Sequence, residues 1–127
     1  MRGTLLASLL AGVVGLCTSV GAFAADPSVL RVIAVQTEDV PAYVREVATL
    51  QSLYQKIGLP VTLRVWQATF AGPNTGAVIV SIEVPNLATI AKLRETMTGN
   101  ADIAAEMKKI STMRKILSDR LYDGLAP

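Results

Sequence analysis

The chain has 127 residues, 12 Lys and Arg against 10 Asp and Glu, one cysteine and no histidine. That is one domain's worth of material. So even a charge balance excludes binding driven by clustered phosphate-neutralising cations. The missing histidines exclude a histidine-activated serine or cysteine nucleophile and any histidine-ligated metal site.

The first segment, "MRGTLLASLLAGVVGLCTSVGAFAADP", has Arg2 as a short basic region, an apolar run from Leu5 to about Val20, and small residues at Ala22 and Ala24. This is the pattern of a secretory signal peptide, residues 1–24, cleaved after Ala24. Gly12, Gly15, Thr18 and Ser19 break the run. It therefore falls short of the roughly 20 apolar residues of a spanning helix, and no membrane residence is expected after cleavage. Leu16 is too bulky before Cys17 for a lipoprotein signal. The expected location is periplasmic or secreted. Removing Arg2 from the 12 basic residues leaves eleven against ten acidic, and Cys17 departs too, so no thiol or disulfide chemistry remains. A domain spanning 25–127 buries roughly 65% of its unfolded surface, enough for a core without staples.

Along that domain, "SVLRVIAVQ", 28–36, is β-branched and apolar, which predicts a strand. Val40, Tyr43, Val44, Val47, Leu50, Tyr54 and Ile57 then recur at three- and four-residue steps, the apolar face of a helix. Glu38, Asp39 and Pro41 suit its first turn, and Gly58 with Pro60 marks its end. "VTLRVWQATF", 61–70, alternates as a second strand, "AGPNTG" is a turn, and "AVIVSIEV", 77–84, is a third strand in a hairpin with the second. Asn86 and Asn100 are expected N-caps of two consecutive helices, one carrying Leu87, Ile90, Leu93 and Met97, the other Ile103, Met107 and Ile110. "RKILSDRLYDGL", 114–125, closes the chain as a strand and tail. The order β-α-β-β-α-α-β is the ferredoxin-like split βαβ, an α+β fold with an antiparallel sheet and helices on one face.

The alternation divides the sheet. Val61, Leu63, Val65, Val78, Val80, Ile82 and Val84 are the set expected under the helices. The opposite face would carry Arg64, Trp66 and Phe70 from the second strand and Ala77, Ile79, Ser81 and Glu83 from the third. A matching register in the first strand would add Arg31, Ile33 and Val35. Such a face is too apolar for water and too charged for a dry core, so a second copy of the chain is the expected cover. Arg31, Arg64, Trp66, Ser81 and Glu83 are the candidate ligand-binding residues. A guanidinium beside an indole can hold a carboxylate or an aromatic ring. The plainer reading makes Trp66 an interface anchor and Arg64 a cross-strand partner of Glu83. Glu83 as a buried general base is the third option. Tyr43, Tyr54, Met97, Met107 and Met113 read as core. Asp102 and Glu106 read as charge at a helix start, and Lys108, Lys109, Arg114 and Lys115 as a solvated helix end.

With "IGLP", "LRVWQATF", "AGPNTG" and "AVIVSIEVPNL" in this order, the chain resembles the dimeric α/β-barrel superfamily, and within it the NIPSNAP-like group. The resemblance implies two ferredoxin-like subunits with their sheets face to face. It implies no agreed catalytic residues. The superfamily also includes haem enzymes, whose axial histidine is missing here, so no cofactor is expected. The reading is an exported homodimer that binds a small, partly apolar ligand between its sheets, without an assigned reaction. The alternatives are a purely structural or partner-binding dimer and a cofactor-independent oxygenase or isomerase.

Overall fold

The computed structural model describes residues 28–125, so the signal-peptide segment lies outside the described residues. The elements are β1 (Val29–Gln36), α1 (Val40–Lys56), β2 (Thr62–Gln67), β3 (Val78–Val84), α2 (Leu87–Gly99), α3 (Ala101–Thr112) and β4 (Lys115–Asp123). They form one antiparallel sheet, ordered β2-β3-β1-β4. β1 and β2 flank β3, and β3 and β4 flank β1, so each helical connection skips one strand. That is the split βαβ arrangement expected from the order of elements.

Local chemistry sets the boundaries. The Asp39 side chain accepts the Ala42 amide at 2.9 Å to open α1. Asn86 and Asn100 do the same for α2 and α3 through the Thr89 and Ile103 amides, each cap satisfying an amide that the helix itself cannot. At the end of α1, the Gly58 amide donates to Gln55 O and the Leu59 amide to Tyr54 O. This Schellman turn requires a left-handed residue, and Gly58 supplies it at φ 75°.

The core lies between the sheet and the helices. Val29, Ile33 and Val35 of β1 and Val78, Val80 and Val84 of β3 pack against Tyr43, Val47, Leu50 and Tyr54 of α1 and Ile103 and Ile110 of α3. Val61 joins them, with Leu63, Val65 and Ile82 partly buried alongside, so the aliphatic register of β2 and β3 faces the helices as its alternation predicts.

β2 is shorter than the alternation suggests. It stops at Gln67, where Ala68 turns to exchange backbone bonds with Gly76 and Ala77 and close the loop. Phe70, expected on the open sheet face, therefore stands outside the strand and is 98% exposed. The loop contains a single 3-10 turn, Gly72–Asn74, and from it Asn74 Nδ2 reaches the Ser118 hydroxyl of β4.

α1 is stitched to the edge strand β2 by one side chain. Gln51 Nε2 donates to Val61 O at 2.9 Å, and Gln51 Oε1 accepts the Leu63 amide. Gln51 thus satisfies backbone groups that an edge strand would otherwise leave open. Gln51→Leu leaves both unpaired in a half-buried setting, and a loss of about 1–3 kcal/mol is expected in urea unfolding. Hydrogen exchange at the Leu63 amide should accelerate with it; an unchanged midpoint would show that the stitch contributes nothing.

Candidate functional site

Pairing decides what each sheet face presents. Residues directly opposite one another in a ladder share a face. Arg31 lies opposite Ile82 on β3 and Leu121 on β4, so Arg31, Ile33 and Val35 point to the helices. The matching register expected for the first strand is therefore corrected. Leu30, Val32 and Ala34 occupy the open face, and Arg31 belongs to the other side of the sheet from Arg64 and Trp66. Both registers of β1 are largely apolar, so its alternation alone could not assign them.

On the open face, Leu30, Val32, Ile79, Arg64, Trp66, Ser81 and Glu83 line a shallow trough of about 320 Å³. Trp66 Nε1 donates to Ser81 Oγ at 2.8 Å, yet the indole remains 53% exposed. Arg64 stands opposite Ser81, while Glu83 stands opposite Thr62. The described residues hold no Arg64–Glu83 ion pair, and the register sets the two on a diagonal rather than abreast. Glu83 is exposed, not buried as the general-base option assumed. The structure brings Arg64, Trp66, Ser81 and Glu83 together and separates Arg31 from them.

Arg31 opens instead onto a partly open chamber of about 130 Å³ between sheet and helices. Ile33, Leu63, Val80 and Ile82 form its floor; Tyr43, Val47, Leu50 and Tyr54 of α1 form one wall. The remaining wall comes from Ile90, Leu93 and Met97 of α2 and Met107 and Ile110 of α3. Three arginines complete the lining: Arg31, Arg94 and Arg114. Arg31 forms a two-pronged pair with Asp119, Nε to Oδ1 at 2.8 Å and Nη2 to Oδ2. The Arg31 guanidinium holds the Asp119 carboxyl below its ordinary value, with Arg114 adding to the effect. Arg114 Nη1 donates to the hydroxyl of Tyr43, a residue with no exposed surface, at 3.0 Å. Burial raises the Tyr54 phenol above its ordinary value, so it stays neutral. In the sequence the tyrosines and methionines read as core filling, and nothing local marks the chamber beyond flexible methionine placed where aliphatic packing leaves gaps.

No family model and no curated protein sequence matches the chain. Among solved structures, a conserved protein of unknown function from Bacteroides thetaiotaomicron, described as a possible oxidoreductase, superposes with a TM-score of 0.55 at 9% identity. The alignment covers 78% of this chain and 99% of that one. At such identity the likeness shows the fold alone. The de novo designed protein Foldit4 superposes more loosely, with a TM-score of 0.47 at 18% identity over 75% of this chain and 96% of its own.

Behind the chamber wall, α1 and α3 meet at two carboxyls. Glu106 Oε1 is fully buried without a protein hydrogen-bond donor, and Glu46 lies beside it, held by Lys109 Nζ at 2.7 Å. Burial and the neighbouring Glu46 push Glu106 up to about 7, while the hydrogen bond from Glu106 and the Lys109 ammonium hold Glu46 below its ordinary value. Glu106 is therefore the proton donor of the pair. Folded, it binds its proton more tightly than when unfolded, so its own contribution to stability is fully present below the ordinary carboxylate range and is lost as pH rises to about 7. Glu106→Gln removes that loss. Its melting temperature should exceed wild type by several degrees above neutrality and converge with it below the ordinary carboxylate range. A difference that runs the other way would refute the shared proton.

Proposed function

We infer that the chain is an exported, homodimeric binding domain of the NIPSNAP-like kind, holding a small, partly apolar ligand without an assigned reaction. The observation that carries this reading is the chamber between sheet and helices, apolar on floor and walls and ringed at its opening by a few polar groups. Ligand sites in globular domains have this character. The ligand belongs in the chamber rather than between the sheets, because the trough on the open face is shallow and is the surface a second copy would cover.

The dimer follows from that face. Leu30, Val32, Ile79, Trp66 and Tyr122 lie together on it, and Trp66 and Tyr122 are each about half exposed. A row of aromatic and aliphatic groups beside Arg64 and Arg120 has the make-up of an interface core with a polar rim. The likeness to the NIPSNAP-like group supports the same pairing of sheets, and the N-terminal pattern supports export. The chamber lining contains no carboxylate and no histidine to serve as a base, which favours binding over proton-abstracting catalysis.

Native mass spectrometry of the protein taken from its own cell tests both halves. A dimer with a retained small molecule is the expected species. Leu93→Trp, which fills the chamber, should abolish the retained mass, and Trp66→Ala should keep it while loosening the dimer. Retention in Leu93→Trp with loss in Trp66→Ala would move the ligand to the sheet face; a monomer at micromolar concentration would end the dimer.

A further inference from the structure

We propose that the chamber takes a small organic monoanion, one ring or an equivalent branched chain bearing a single carboxylate, with Arg94 as the cation that holds its head group. This rests on the chamber being the ligand site and adds the class of molecule it selects.

Size sets the first limit. A dry, aliphatic cavity of about 150 Å³ accommodates a benzene ring. The chamber, at about 130 Å³, is of that order, and its floor of Ile33, Val80 and Ile82 offers a ring nothing but hydrocarbon. A fused ring system would not fit without moving a helix, because a packed interior yields little.

Charge sets the second. The lining includes three arginines and two tyrosines and no aspartate or glutamate. Asp119 offsets Arg31 from outside the lining and is close enough to Arg114 to feel its charge. Arg114 also borders Glu38 and Asp39 in a neighbouring trough. Arg94 has no ion-pair or hydrogen-bond partner among the described residues. The Tyr43 hydroxyl accepts from Arg114, and its own proton has no acceptor among the described residues. The polar groups that line this apolar space are thus mostly donors, and Arg94 is the cation among them without a partner among the described residues. A neutral hydrocarbon would leave them unanswered, and a cation would be repelled. A carboxylate on a hydrophobic body answers both the wall and the rim.

Benzoate and benzamide, alike in shape and different in charge, provide the test. The methyl signals of Met97 and Met107 in the purified protein report the chamber, and the indole signal of Trp66 reports the opposite sheet face. Benzoate should shift both methionine methyls and bind about tenfold tighter than benzamide, the order expected of one charge-assisted contact at a partly solvated rim. R94Q should remove that preference, and R94K should keep most of it; Arg94 is exposed, so neither change threatens the fold. Equal affinity for the two probes, or an undiminished preference in R94Q, overturns the anion proposal and leaves the chamber as a ligand site. If the probes move the Trp66 indole and neither methionine, or move nothing, the chamber reading falls as well.

Discussion

Everything functional in this fold depends on the register of β1. The strand is hydrogen-bonded on both sides, to β3 through Arg31 opposite Ile82 and to β4 through Arg31 opposite Leu121. It has no freedom to rotate one face outward without breaking two ladders. A slip of one residue would exchange Arg31, Ile33 and Val35 for Leu30, Val32 and Ala34. The chamber would lose a guanidinium and the open face would acquire one. The bidentate pair between Arg31 and Asp119 ties the same register to the edge strand, so the ion pair and the ladder select the same arrangement.

The sheet then has two surfaces with different physics. Under the helices the space is an apolar pocket, with Arg31, Arg94 and Arg114 at its partly solvated rim. On the far side, Arg64 and Glu83 stand in solvent, and the exposed Trp66 offers area more than charge. A side chain's type says little until the face it occupies is known. Arginine on the open face helps a surface stay wet. Arginine beside the chamber marks where an anion is favoured.

The helices are more than a roof. α1 is fixed to β2 by Gln51 and meets α3 through Glu46 and Glu106. Those two carboxyls sit on the same helices that supply Tyr43, Val47, Met107 and Ile110 to the chamber. The wall is therefore held by aliphatic packing and by the ion pair of Lys109 with Glu46 across the two helices.

Much of this was legible in the chain. The caps at Asp39, Asn86 and Asn100, the stop at Gly58 and the aliphatic stripe of β2 and β3 are local: the residue and its near neighbours carry the whole physical cause. So the order of elements, and from it the split βαβ topology, followed from the sequence by itself. The face of Arg31, the end of β2 before Phe70, the diagonal offset of Arg64 from Glu83 and the meeting of Glu46 with Glu106 were not local. Each depends on which residue of a distant element stands opposite, and β1 is apolar in both registers, so no period within it could choose. Tertiary pairing made that choice, and with it decided that the arginine the strand displays most plainly faces the pocket under the helices instead of the open sheet.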